Sequence, residues 1–95
     1  MYGLSEETYN KIMDVVKKYE EYTFKIFGSR ARGNYKPNSD IDIAVEGNIN
    51  TDAEYKILND FDLIDMPYTV DIVFIKNITK EEFIESIERE GVLLK

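Results

Sequence analysis

Residues 26–43 of the chain read IFGSRARGNYKPNSDIDI. An apolar pair runs into a Gly-Ser turn at Gly28, a polar and cationic segment follows, and Asp40 and Asp42 then alternate with isoleucines. Strict alternation over residues 40–45 predicts a β-strand with isoleucine and valine on one face and the two aspartates on the other. The stretch therefore predicts a tight turn leading into a strand that carries carboxylates.

Helices and further strands are predicted on both sides of this stretch. Ser5 can cap a first helix, whose apolar residues recur at helical spacing up to Tyr19. Thr51 and Thr79 each precede a glutamate by three residues, the capping-box spacing, and predict the starts of two more helices. The remaining predicted strands are residues 23–27, 68–74 and, as a short edge strand, 92–95.

Length and composition exclude several classes of protein. The 95 residues predict a single domain, residues 1–95, and contain neither cysteine nor histidine, so thiol catalysis and the usual zinc ligands are absent. Any bound metal should be a hard cation that prefers oxygen ligands. No apolar run approaches a membrane span, and the N-terminus lacks the pattern of a signal peptide. We therefore expect a cytoplasmic protein without membrane association.

The charge distribution is uneven along the chain. The net charge is −7, yet residues 23–39 carry four cationic residues and no acidic one. An acidic protein is poorly suited to nonspecific binding of a nucleic-acid backbone, so direct binding of polymeric nucleic acid is not expected. A small basic segment in such a protein suits a small polyanion better.

Three strand aspartates form the main candidate site. Asp40 and Asp42 share a strand face about 6.5–7 Å apart, and Asp71 occupies the same kind of position in the strand predicted at residues 68–74. A single strand aspartate is usually just solvent-facing, but aspartate is disfavoured in strands and here occurs in two of them. If the two strands are neighbours, their carboxylates repel one another unless a cation lies between them. Two magnesium ions, or manganese as the alternative, would relieve this repulsion and support phosphoryl transfer.

The Gly-Ser turn predicts a phosphate site beside these carboxylates. Gly28 lets the backbone approach a ligand closely, and Ser29 offers a hydroxyl at the start of a short helix or turn. Arg30 or Arg32 could then contact phosphate oxygens. Turn and carboxylates together predict a site for a metal-bound nucleoside triphosphate, provided that residues 68–74 lie beside residues 40–45 in the sheet.

These residues together resemble a known signature. Gly-Ser at 28–29, Asp-x-Asp at 40–42 and a later strand aspartate at position 71 resemble the polymerase-beta-like nucleotidyltransferase superfamily. The fuller pattern, GSRARG at residues 28–33 and SDIDIAV at residues 39–45 in a chain of 95 residues, resembles the minimal nucleotidyltransferase (MNT) family of this superfamily. Members of that family are commonly antitoxin partners of HEPN-domain toxins. The resemblance extends over nearly the whole chain.

The resemblance implies a fold, a reaction and residue roles. The fold would be α+β in two layers, a small mixed sheet with helices packed mainly on one face. Asp40 and Asp42 would hold both metal ions, and Asp71 would complete the site that activates an incoming hydroxyl. The resemblance also implies a set of phosphate-binding residues: Gly28, Ser29 and Arg30. The reaction would transfer AMP from ATP to a tyrosine hydroxyl of a HEPN toxin and release pyrophosphate.

Two alternative functions remain open on the sequence alone. The chain could mask its toxin by binding, with the nucleotide site idle or regulatory. It could also be a nucleotidyltransferase that acts on a small molecule, although such enzymes usually add a second domain for the acceptor. The sequence does not indicate which base the triphosphate carries.

Overall fold

Four strands form one mixed sheet at the centre of this computed structural model, which describes residues 1–94. The strands are β1 (Thr23–Phe27), β2 (Ile41–Glu46), β3 (Val70–Phe74) and β4 (Val92–Leu93). Their order is β3–β2–β1–β4, with β1 antiparallel to both β2 and β4, and β2 parallel to β3. The helices are α1 (Glu6–Lys17), α2 (Gly28–Arg32), α3 (Thr51–Asp62) and α4 (Glu81–Glu90), and a 3₁₀ turn spans Ile75–Asn77.

The main core lies on the sheet face that the alternation of β2 predicts. Ile41, Ile43 and Val45 are fully buried, and their register partners in β3 face the same way. Helices α1 and α3 cover this face, with Val16 of α1 and Ile57 of α3 among its buried residues. The α+β prediction, a small mixed sheet with helices mainly on one face, is therefore confirmed.

Helix α4 packs near the opposite face of the sheet. Its Phe83 meets Phe27 of β1 edge to face, with ring centroids 5.9 Å apart. Ala44 and Ile87 are also buried but lie outside the main core cluster. Because Phe27 is the register partner of Asp42, this smaller apolar layer borders the strand face that carries the aspartates.

The predicted helix start at Ser5 is confirmed, and the other two helix caps are wrong. Ser5 Oγ accepts a hydrogen bond from the backbone N–H of Thr8 at 3.1 Å. Asn50, not Thr51, caps α3, and its side-chain oxygen accepts from Ala53 N at 2.8 Å. An asparagine one residue earlier satisfies the same orphan N–H groups, so Thr51 becomes the first helical residue.

At α4 the N-cap residue is Lys80, whose side chain makes no capping hydrogen bond. The capping box predicted from Thr79 therefore does not form. Acidic residues in the first turn, Glu81 and Glu82, favour the helix terminus through its dipole instead.

Two predicted strands begin slightly later than the alternation indicates. Strand β2 begins at Ile41, so Asp40 lies immediately before it, and β3 begins at Val70. The first hydrogen bond between their entry segments joins Ile41 N to Thr69 O at 2.8 Å. The predicted edge strand is present as β4, while Lys95 lies outside the described residues. Within residues 1–94 no helix is long and apolar enough to cross a membrane.

Candidate active site

Asp42 and Asp71 lie directly side by side on neighbouring parallel strands. They are register partners in the β2–β3 ladder, where strand spacing puts their backbones about 4.8 Å apart. Both side chains leave the sheet on the face opposite the main core, because their flanking residues point into that core. Asp40, exposed and two residues before Asp42, approaches from the same end. The condition on which the predicted site depends, that residues 68–74 lie beside residues 40–45 in the sheet, is therefore met.

The carboxylates affect one another electrostatically. Partial burial raises the pKa of Asp42 above its ordinary value of 3.8, and the negative charges of Asp71 and then Asp40 raise it further. The positive charge of Arg32 acts in the opposite direction and lowers the pKa of Asp42. The three aspartates and one arginine therefore share one electrostatic environment at the start of β2.

The Gly-Ser turn lies against Asp42. Gly28 follows β1 directly, has φ of +74°, and begins α2. A side chain at this position would overlap Asp42 Oδ2 and approach Asp42 Cγ to 3.3 Å. Two features therefore require glycine here: the left-handed backbone and the close carboxylate. The next residue, Ser29, is half-buried, and no side chain caps the N-terminus of α2.

Arg30 is the predicted site residue whose position disagrees with its predicted role. The prediction placed its guanidinium on phosphate oxygens, but its side chain is buried, with 2% of its surface exposed. Its donors bind the main-chain carbonyls of Tyr2, Pro37 and Ser39. A guanidinium already bonded inside the fold does not present itself to a nucleotide.

Arg32 is the other arginine of α2, and the sequence alone offered either arginine as a phosphate contact. It donates to Glu90 Oε2 of α4 at 3.0 Å, and its charge acts on Asp42. Residues two apart on a helix project about 200° apart, so Arg30 and Arg32 must face opposite ways. The i, i+2 spacing is the one sequence signal that the two arginines have different surroundings, and it does not show which of them is buried.

The carboxylates of Asp40, Asp42 and Asp71 are suitable ligands for a divalent cation, although they are not grouped as a complete set of metal ligands. Carboxylate oxygens are the ligands that magnesium and manganese prefer. Across residues 1–94, however, no three acidic side chains are already grouped as metal ligands. The role of Asp40, Asp42 and Asp71 as metal ligands stays a prediction.

Comparison with known proteins assigns the family. The family model described as "Polymerase beta, Nucleotidyltransferase" matches residues 10–95. The chain belongs to this nucleotidyltransferase family. The match contains both aspartate strands and the Gly-Ser turn, so the family and the local geometry identify the same part of the chain. No curated protein matches the sequence at a significant level.

Solved structures of toxin–antitoxin complexes share the nucleotidyltransferase fold. A chain of a toxin–antitoxin complex with AMP-PNP is 23% identical, with a TM-score of 0.66 over 92% of this chain and 72% of that chain. A chain of the MntA–HepT complex is 21% identical, with a TM-score of 0.59; the match covers 96% of this chain and 72% of that chain. A chain from the complex of a tri-AMPylated Shewanella oneidensis HEPN toxin with an MNT antitoxin is 20% identical, with a TM-score of 0.60. The match covers 97% of this chain and 72% of that chain.

The contact between Gly28 and Asp42 predicts a difference between two glycine substitutions. Gly28→Ala and Gly33→Ala each force alanine into a left-handed backbone, so each should destabilise the fold by about 1 kcal/mol. Only Gly28→Ala also displaces a carboxylate, because no atom lies within 4 Å of an added side-chain carbon at Gly33. The ¹³C carboxyl resonance of Asp42 should shift in Gly28→Ala alone. An equal shift in both variants, or in neither, would contradict this contact.

The raised pKa of Asp42 predicts that Asp42→Asn stabilises the protein at neutral pH. The folded chain holds this proton more tightly than the unfolded chain, so the free energy of unfolding falls as pH rises from below 3.8 through the raised pKa. Asp42→Asn should recover this lost stability at pH 7, and the gain should be small because the site is partly solvated. Urea unfolding at pH 7 and pH 3 measures it, and the gain should vanish at pH 3.

Asp65→Asn is the matched control for this measurement, because Asp65 is an exposed loop residue outside both aspartate strands. It should leave the difference between pH 7 and pH 3 unchanged. A stability gain at pH 7 that persists at pH 3 would show that repulsion at Asp42 is not its cause.

Proposed function

We propose that the chain is a metal-dependent nucleotidyltransferase that moves AMP from ATP to a tyrosine hydroxyl of a partner HEPN-domain toxin. The observation that carries the proposal is the meeting of Asp42 and Asp71, in register on parallel strands, with the Gly28 turn. The backbone of the Gly-Ser turn therefore lies beside the paired carboxylates. Nucleotidyl transfer needs both features at one point.

Each residue has a part in this reaction. Asp40, Asp42 and Asp71 would hold the divalent cations, two magnesium ions or manganese. The ions supply positive charge that neutralises the triphosphate and the developing charge at the α-phosphorus. Gly28 lets the Asp42 carboxylate lie directly against the backbone of the turn, and Ser29 would offer its hydroxyl to the triphosphate beside it.

The covalent step exchanges one bond to phosphorus for another. The acceptor hydroxyl forms a bond to the α-phosphorus, the bond to the bridging oxygen of the β-phosphate breaks, and pyrophosphate leaves. Asp71 would orient the incoming hydroxyl from its position beside Asp42 and accept its proton as the new bond to phosphorus forms. The protein contributes mainly orientation and electrostatic stabilisation.

Structures of similar fold support the choice of substrate and partner. One of those complexes contains AMP-PNP, and another pairs an MNT antitoxin with a tri-AMPylated HEPN toxin. An ATP-like nucleotide and an AMP-modified toxin are the substrate and product classes that the present proposal needs.

The proposal predicts magnesium-dependent labelling of the partner toxin. With Mg²⁺, α-labelled ATP and the protein encoded beside it, the wild-type chain should transfer label to a tyrosine of that protein. Asp42→Asn should reduce the initial rate by at least about 100-fold, because it removes a carboxylate at the reacting phosphate. Mass spectrometry would locate the added AMP, and Asp65→Asn serves as the control that keeps full activity.

Toxicity distinguishes the transferase from a masking antitoxin. Co-expression with wild-type chain should neutralise the toxin, whereas co-expression with Asp42→Asn should not. Protection that survives in Asp42→Asn, without label on the toxin, would favour masking by binding. Label on a small molecule but not on any protein would favour the small-molecule enzyme.

Arg32 is expected to contribute to ATP binding in place of the buried Arg30. Its guanidinium lies at the carboxylate side of α2, and its pairing with Glu90 is an exposed ion pair of little energetic value, so a triphosphate can compete for it. Arg32→Gln should raise KM for ATP about 5- to 10-fold with a smaller change in kcat and nearly unchanged stability. Arg89→Gln, an exposed arginine of α4, is the control, and an unchanged KM in Arg32→Gln would refute this role.

A further inference from the structure

Arg30 is a buried cation whose hydrogen bonds all end on main-chain oxygens. Its Nε and Nη2 atoms donate to Ser39 O at 3.1 and 2.8 Å, Nη1 donates to Tyr2 O at 2.9 Å, and Nη2 also approaches Pro37 O at 3.4 Å. Burial of a guanidinium is costly unless its donors are satisfied. Here the donors connect α2 to the N-terminal segment and to the loop before β2.

Two tyrosine rings enclose the same guanidinium. The Cζ atom of Arg30 lies 5.2 Å from the ring centroid of Tyr35 and 4.7 Å from that of Tyr68. Both distances are within the range of cation–π attraction, which strengthens where water is excluded. Tyr35 belongs to the loop before β2, and Tyr68 lies two residues before β3.

The segments held by Arg30 are those that lead into the two aspartate strands. Ser39, which accepts two of its hydrogen bonds, is the residue directly before Asp40. Ser39 is also fixed from the other side, because its N–H donates to Lys36 O and its Oγ accepts from Lys36 N. Asp40 itself precedes β2 and therefore has no ladder partner that could fix its backbone.

We propose that Arg30 is a positioning residue that sets the location of Asp40 relative to Asp42 and Asp71. A methionine or leucine could fill the same volume without the cost of a buried charge. What only arginine provides is the pair of hydrogen bonds that fixes the carbonyl of Ser39, the residue before Asp40. The inference rests on the proposed transferase function, to which it adds a residue that never contacts ATP.

The test is Arg30→Lys, measured by steady-state AMP transfer and by Mn²⁺ titration. Lysine keeps the charge but cannot make the paired contact with Ser39 O. We expect kcat to fall about 10- to 100-fold, the usual cost of a displaced catalytic group, while KM for ATP changes less than about 2-fold. Mn²⁺ affinity should weaken about 10-fold. A rise in KM with unchanged kcat would instead indicate a phosphate contact and overturn the proposal.

A double-mutant comparison distinguishes positioning from general loss of structure. If Arg30 acts through Asp40, the variant Arg30→Lys with Asp40→Asn should be no slower, and bind Mn²⁺ no more weakly, than Asp40→Asn alone. Independent, multiplying losses would overturn the proposal. Arg89→Lys, an exposed arginine of α4, is the matched control and should behave as wild type.

Tyr35→Leu keeps the inference testable if Arg30→Lys does not fold. Tyr35 is partly exposed, so its replacement should preserve the fold while removing one ring from the guanidinium. Its kcat should fall about 3- to 10-fold with KM for ATP unchanged, again without further loss in the Asp40→Asn background. A wild-type kcat in Tyr35→Leu would count against positioning through this loop.

A wild-type chain that transfers no AMP would count against the proposed function and not against this inference. In that case the Mn²⁺ affinities of Arg30→Lys and Tyr35→Leu, with and without Asp40→Asn, decide it. Equal Mn²⁺ affinity of wild type and Arg30→Lys would overturn the positioning role.

Discussion

Two like charges held side by side are the constraint on which the site depends. Asp42 and Asp71 are register partners on parallel strands, and burial and repulsion together raise the pKa of Asp42. Nothing in sheet formation favours this pairing, since like charges opposite one another destabilise a sheet. The pairing is held by the other face of the same strands, where Ile41, Ile43 and Val45 are fully buried. A one-residue slip would expose that core, so hydrophobic burial fixes the carboxylate register.

The strand faces could be predicted because they follow from alternation, whereas the strand order could not, because it depends on pairing between separate segments of the chain. The isoleucines of β2 and the matching pattern of β3 indicate which residues enter the core, and therefore which face carries Asp42 and Asp71. The helix caps were less predictable, because Asn50 and Thr51 are both good capping residues one position apart. Only the packing of the helix decides between them.

The roles of the two arginines in α2 could not be assigned from residue type. Arg30 and Arg32 have the same chemistry, and their spacing shows only that they face opposite sides of a short helix. Which side is the interior depends on Tyr35 and Tyr68, residues that come from separate segments and meet only in the folded chain. The arginine nearer the Gly-Ser pair is the buried one, so proximity to that turn in the sequence was a poor guide to which arginine stays exposed.

The antiparallel pairing of β1 with β2 explains why the Gly-Ser turn and the carboxylates lie at the same edge of the sheet. Asp42 and Asp71 lie at the beginnings of β2 and β3, whereas Gly28 directly follows the end of β1. Because β1 runs antiparallel to β2, its end lies at the same sheet edge as their beginnings, and Phe27 pairs with Asp42. In an all-parallel sheet the turn would lie at the far edge, about 17 Å away for a five-residue strand. A short α2 then suffices to connect β1 to the loop before β2, and the same helix carries Arg30 into that loop and Arg32 toward the carboxylates.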